Sequence, residues 1–152
     1  MTELQFIKDV DWTGVPVAQV CYELAAAAYP EGAPWRLATF AADLALPQSC
    51  YQLLVRVQQP IGFISQTTVL DETEITNVAV LPAFQRHGYA RLMLQRTFAQ
   101  LTPTAKCFLE VRQSNTPAQK LYEQCGFEQI STRKNYYQHP SEDALIMRKI
   151  IK

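Results

Sequence analysis

The apolar positions of this chain repeat with two different periods. Val17, Val20, Cys21, Leu24 and Ala28 fall three or four residues apart, the spacing of one helix face. Pro16, just ahead of them, suits a first helical turn. Tyr29-Pro30-Glu31-Gly32 breaks that helix, and Pro34 opens a shorter one with Leu37, Phe40, Ala41 and Leu44 on one side. A short run over 6–10 predicts a strand ahead of both helices. Residues 50–58 and 61–69 predict two more strands joined tightly at Gln59-Pro60, and 72–81 predicts another that Pro82 ends.

From there the pattern alternates. Residues 88–101 predict a helix whose Ala90, Leu94, Thr97, Phe98 and Leu101 share a face, with Pro103 beyond its end. Residues 107–111 predict a strand. The helix over 116–125 is the most strongly marked. Thr116 and Gln119 are spaced as a capping box, Pro117 takes the first helical position, and Gly126 follows as a stop. Strands over 127–135 and 144–149 complete the pattern. No repeat, linker or low-complexity stretch interrupts it, so 1–152 reads as one domain. Strands and helices in this order fit a central sheet covered by helices.

Composition narrows the function classes. Hydrophobic residues make up 48% of the chain and charged residues 18%, which suits a packed core rather than disorder. The 14 Lys and Arg balance the 14 Asp and Glu, so the basic excess of a phosphate-backbone binder is missing and direct nucleic-acid binding is not expected. No apolar run reaches the roughly 18 residues of a membrane span, and Glu3, Lys8 and Asp9 disqualify the first ten residues as a signal peptide. A membrane partner is not expected. Cys21, Cys50, Cys107 and Cys125 have neither metal-ligand spacing nor a histidine at zinc-finger distance, so no metal is expected. Each lies in or beside an apolar pattern and reads as a buried reduced thiol, which points to the cytoplasm.

Candidate chemistry begins at 77–91. Val78, Ala79 and Val80 end an apolar strand, and Gln85-Arg86-His87-Gly88-Tyr89-Ala90-Arg91 leads into the next helix. A helix N-terminus presents N–H groups without intrahelical partners and the positive end of a dipole, a ready site for a phosphate. Gly88 permits close backbone approach, Ala90 is nearly as small, and Arg86 adds positive charge. Gly88 alone reads equally well as an ordinary strand-to-helix turn. Neither Gly-x-Gly-x-x-Gly nor Gly-Lys-Ser/Thr is present, which excludes a Rossmann fingerprint and a P-loop.

The order Gln85-Arg86-x-Gly88-x-Ala90 resembles the Gln/Arg-x-x-Gly-x-Gly/Ala motif of the GNAT acetyltransferases, with the permitted alanine at the last position. Leu109-Glu110-Val111-Arg112, Asn115, Leu121-Tyr122 and Gly126-Phe127 are similar to the matching GNAT segment. Arg133-Lys134-Asn135-Tyr136-Tyr137 and Glu142-Asp143-Ala144-Leu145-Ile146-Met147 resemble one branch, the bacterial ribosomal-protein alanine N-acetyltransferases of the RimI type. The resemblance is close over 72–149 and loose over the whole chain.

It implies an α/β chain with the GNAT fold, a mixed and mostly antiparallel sheet of about six or seven strands flanked by four helices. It also implies acetyl-CoA as cosubstrate, with its pyrophosphate on the loop at 85–91. Val78, Ala79 and Val80 would be further cosubstrate contacts, Asn115 a hydrogen bond to the pantetheine arm, and Tyr122 a contact at the thioester. In that branch the residue matching Glu110 is the general base and the one matching Tyr122 the general acid. The implied acceptor is a protein N-terminal α-amine, that of an alanine on a small-subunit ribosomal protein, and the implied state a monomer or weak dimer.

The chemistry accounts for these residue types. An amine attacks a thioester carbonyl, the nitrogen loses a proton, and a thiolate departs. An α-amine with a pKa of about 8 is roughly a tenth neutral at pH 7, whereas a lysine at about 10.4 is almost fully protonated. A glutamate, acting directly or through water, is base enough for the first, and a tyrosine hydroxyl can protonate the departing sulfur.

Without the resemblance, the same residues have plainer readings. Glu110 shares a strand face with Phe108 and Arg112 and suits a structural ion pair with Arg112. Tyr122 lies on the apolar stripe of Ala118, Leu121 and Cys125, and Asn115 precedes a helix cap. Glu74 is a second candidate base but reads first as a solvated or paired carboxylate. His87 lines the loop, and His139 reads as a surface residue. Tyr136 and Tyr137 either pack or shape an acceptor groove, and Trp35 either anchors the core or flanks the acceptor. Two other functions stay open: a GNAT enzyme acetylating a lysine or small amine, and a CoA-binding module without catalysis. Asn135-Tyr136-Tyr137 argues against the small-amine enzyme, and Glu110 together with Tyr122 against the module without catalysis.

Overall fold

The computed structural model describes residues 2–7 and 12–152. In chain order the elements are β1 (Thr2–Phe6), α1 (Val17–Ala28), α2 (Leu37–Leu44), β2 (Ser49–Arg56), β3 (Gln59–Val69), β4 (Glu72–Val80), a 3-10 turn (Pro82–Phe84), α3 (Tyr89–Gln100), β5 (Lys106–Arg112), α4 (Thr116–Gln124), β6 (Glu128–Tyr137) and β7 (Glu142–Ile150). The strands form one sheet in the order β1-β2-β3-β4-β5-β7-β6, and only β4 and β5 run parallel. The strand expected at 6–10 overlaps β1 only at Phe6, and its positions 8–10 lie outside the described residues.

Each face of the sheet carries helices, while β6 at its edge stays exposed. On one side Val17, Val20, Cys21, Leu24, Phe40 and Leu44 of α1 and α2 pack with Tyr51, Leu53, Val55 and Phe63. On the other, Met93 and Leu94 of α3 join Leu54, Ile64, Leu109, Val111 and Met147, with Leu121 and Tyr122 of α4 at the margin. Burying one such side chain contributes about 1.5–3 kcal/mol, so these two layers hold the helices on the sheet.

Four local readings change in the structure. The β2–β3 turn is Val57-Gln58, both at positive φ (49° and 61°), a two-residue loop whose twist matches its strands. Gln59 and Pro60 already belong to β3, and Pro60 fits there because a register shift at Leu54/Val55 relaxes the ladder that its missing N–H would break. The cap of α4 is Asn115, whose Oδ1 accepts from the Ala118 N–H at 3.2 Å, while Gln119 turns back to the carbonyls of Arg112 and Gln113. Thr116 is therefore already helical. The buried stripe of α3 is Met93, Leu94 and Thr97, and Ala90, Phe98 and Leu101 are only half-buried beside it. On α2, Phe40 and Leu44 are buried but Leu37 and Ala41 are exposed, because that helix covers a corner of the sheet.

The feature that creates a site is the parallel pair. β4 and β5 are in register only where Glu72, Thr73 and Glu74 oppose Lys106, Cys107 and Phe108; beyond this the strands part. A bulge bends β4 at that point: its register against β3 shifts between Ser65 and Gln66, leaving Thr76 unmatched. Because β4 and β5 are parallel and each is followed by a helix, α3 and α4 both begin at the open end of the wedge. Two positive helix ends face one gap.

Candidate active site

The loop between β4 and α3 is held open rather than collapsed. Gln85 donates from Nε2 to the Val80 carbonyl at 2.9 Å, which pins the loop to the strand end. His87 places Nδ1 at 2.8 Å from the Gln85 carbonyl, so it braces the loop from outside. Arg86 and Gly88 both adopt left-handed φ (65° and 80°), and Gly88 is the N-cap of α3. A Cβ on Gly88 would meet nothing within 4 Å. The glycine is therefore demanded by its backbone angle, and the open space beside it leaves room for a phosphate against the N–H groups of 88–91. Tyr89 and Ala90 are half-buried in the first turn, and Arg91 reaches Gln124 of α4 to tie the two helices together.

Asn115 spends its Oδ1 on the α4 cap, which leaves its amide nitrogen as the group it can offer a cosubstrate. Tyr122 on α4 is half-buried, with its ring edge-on to Phe127 at 5.9 Å. Burial, then the neighbouring phenols of Tyr29 and Tyr137, hold its pKa well above the usual tyrosine value. The hydroxyl is thus a protonated donor at every working pH.

Glu110 does not pair with Arg112. Its carboxylate lies 3.6 Å from Arg133 of β6, and its interaction with the nearby Tyr136 phenol is the main cause of that phenol's raised pKa. Arg112 is engaged elsewhere, at 3.3 Å from Glu31 and 3.2 Å from Glu142, with its guanidinium 4.4 Å from the centre of the Tyr137 ring. The β5 register explains this: Arg112 sits at the strand end, nearer the α1–α2 loop and the β6–β7 turn than its own neighbour two residues back. Glu142 is held below the ordinary carboxylate range by hydrogen bonds from Ser114 and Arg112, and it anchors the loop that leads to α4.

Glu110 and Glu74 line one cavity of about 480 Å³ with Glu72, Phe108 and Arg133. Burial, then the charge of Glu110, raises the Glu74 pKa, with Arg133 opposing. Tyr137 is pushed up chiefly by burial and then by the charge of Glu110. Tyr136 is exposed beside it, their rings 5.1 Å apart. Trp35 packs on Phe40 at 5.1 Å and is a core anchor; His139 is exposed.

Sequence reasoning passed over Tyr29 and Glu31 as mere helix breakers. The Tyr29 hydroxyl donates to the Val78 carbonyl and accepts from the Val78 N–H, and Glu31 takes Arg112. No local pattern announces contacts of that reach. Cys21 and Cys107 are buried and pushed up to about 12 by burial, as buried thiols should be, while Cys50 and Cys125 are only half-buried; no disulfide joins any two of the four. Among the described residues no group of three His, Cys, Asp or Glu is placed to hold a metal, and no helix is long and apolar enough to cross a membrane.

Known proteins resemble this chain in sequence and fold. The chain is 50% identical over 92 residues to the [ribosomal protein bS18]-alanine N-acetyltransferase of Haemophilus ducreyi, a match that takes in 57% of this chain and 63% of that relative, less than two thirds of its length. The crystal structure of the ribosomal-protein-S18-alanine N-acetyltransferase from Escherichia coli superposes with a TM-score of 0.86 at 31% identity, covering 100% of this chain and 95% of that one. A GNAT family acetyltransferase from Elizabethkingia anophelis with acetyl-CoA bound has the same fold, with a TM-score of 0.77 at 19% identity over 98% of this chain and 97% of that one. The family described as Acetyltransferase (GNAT) matches residues 18–127, which contain the wedge, the glycine-capped α3 and all of α4. The chain belongs to the GNAT acetyltransferase family.

Proposed function

We propose that this chain transfers the acetyl group of acetyl-CoA to the N-terminal α-amine of a protein, that of an alanine on a small-subunit ribosomal protein. The observation that carries the reading is the β4–β5 wedge, with two helix N-termini at its open end and Glu110 beside it. The likeness to relatives that acetylate ribosomal-protein alanine supports the choice of acceptor. The chain acts as one domain in the cytoplasm, as a monomer or weak dimer, and needs neither metal, nucleic acid nor membrane.

Acetyl-CoA supplies the thioester. Arg86 to Arg91, with Gln85 holding the loop, receive its pyrophosphate; Val78 to Val80 and the Asn115 amide orient its arm. Glu110, steadied by Arg133 and Tyr136, takes the proton of the acceptor nitrogen directly or through water. Tyr122, kept protonated by burial and its phenol neighbours, gives a proton to the departing sulfur.

Steady-state kinetics with a peptide bearing a free N-terminal alanine tests these roles. Tyr122→Phe keeps the ring against Phe127 and is expected to lower kcat by about 10²- to 10⁴-fold at every pH. Glu110→Gln is expected to lose rate most at low pH and to recover as the neutral amine becomes abundant. Equal deficits for Glu110→Gln at all pH values, or full activity in Tyr122→Phe, contradict the assignment.

A further inference from the structure

At the end of α1 the chain turns tightly: the Gly32 N–H donates to the Tyr29 carbonyl at 3.0 Å, with Pro30 and Glu31 between them. The turn fixes Tyr29 and Glu31 two residues apart, and they reach opposite arms of the wedge. The Tyr29 hydroxyl donates to the Val78 carbonyl at 2.9 Å and accepts from the Val78 N–H at 3.1 Å. The Glu31 carboxylate lies 3.3 Å from Nε of Arg112. One turn therefore buckles β4 to β5 where their own ladder has ended.

A strand residue directs its N–H and C=O to the same side, where an extended partner ordinarily pairs with both. Here one phenol takes both groups, and it does so on Val78, at the open edge of the strand proposed to carry the cosubstrate. Tyr29 is half-buried against the α1–α2 core, and burial pushes its pKa up to about 12, partly offset by the bond to Val78. It is a neutral hydroxyl, equipped to donate and accept at once.

We infer that Tyr29 stands in for acetyl-CoA on Val78, holding the strand edge while the site is empty and yielding that N–H and C=O when the cosubstrate binds. This rests on the proposed function. The displaced turn also carries Glu31, so loading β4 loosens the Glu31–Arg112 pair on β5 and opens the acceptor side.

Two measurements on the full chain test the clasp. Calorimetric titration with acetyl-CoA, without acceptor, compares the natural chain with Tyr29→Phe, which keeps the ring and gives up both hydrogen bonds. Losing two ordinary hydrogen bonds from the empty state corresponds to about tenfold tighter binding. Hydrogen–deuterium exchange of 29–36 in the natural chain is expected to speed up when acetyl-CoA saturates it. A merely structural Tyr29 would lower the melting temperature without tightening binding. Unchanged or weaker binding by Tyr29→Phe, or exchange at 29–36 that slows or stays the same, overturns the clasp alone. A natural chain that does not bind acetyl-CoA at all overturns the proposed function and the clasp with it.

Discussion

Glu74 and Glu110 share one cavity, and the difference between them is set by their partners. Glu110 holds Arg133 and Tyr136, whereas Glu74 is penalised by burial and by Glu110. A carboxylate whose folded pKa is raised binds its proton more tightly in the folded state than in the unfolded state. Its ionisation therefore costs stability as pH rises through the raised value, and the cost is absent below the unfolded value of about 4.3. Glu74→Gln is expected to raise the melting temperature at neutral pH and to leave it unchanged near pH 3. It should also stay active where Glu110→Gln fails. A melting temperature that falls at neutral pH contradicts the geometry of this pair. The loop of Gln85 to Ala90 ahead of α3 was legible because it belongs to a local signal, a strand running into a helix with a glycine at its start; Asn115 and Tyr122 were picked out only through the resemblance, since locally they read as a position before a cap and part of an apolar stripe. The partners of Arg112 and the role of Tyr29 were not legible, because Tyr29 and Val78 are 49 residues apart and only the packing of α1 on the sheet joins them.

At the scale of elements, α3 matters through its first turn. Gly88 sits at φ 80° with open space where a side chain would go, so a valine there is strained by its backbone and fills the space left for a phosphate. Acetyl-CoA at 100 times its Kd should stabilise the natural chain by about 2.7 kcal/mol, read as a rise in melting temperature. Gly88→Val should abolish that rise while remaining folded; an undiminished rise would place the phosphates elsewhere. The elements themselves were read well from periodicity because their apolar stripes are long, as in Val17, Val20, Cys21 and Leu24 of α1. The errors cluster at ends, where two neighbouring residues compete for one role. Asn115 won the cap from Thr116, and Val57-Gln58 won the turn from Gln59-Pro60, because the β2–β3 register decides both strand ends together.

At the scale of the molecule, the site is a consequence of topology. A sheet that is otherwise antiparallel contains one parallel pair, and a parallel pair puts both following helices at the same end. The bulge at Thr76 then parts the strands, and Gly62 lets β3 stay close to β4 beside it: a Cβ there would clash with the Ala79 carbonyl. Strand and helix order was visible in the sequence, but the wedge was not, because a bulge leaves no period to read. The wedge ends in a neutral amine's binding place only if the acceptor is an α-amine. The most direct measurement is mass spectrometry of peptides incubated with the chain and acetyl-CoA: one with a free N-terminal alanine and internal lysines, the same peptide with its N-terminus blocked, and a set of small amines. The expected result is a single acetyl group on the α-amine of the first peptide and none on the blocked peptide. Robust acetylation of lysine in the blocked peptide, or of the small amines in preference to the free alanine, would contradict it.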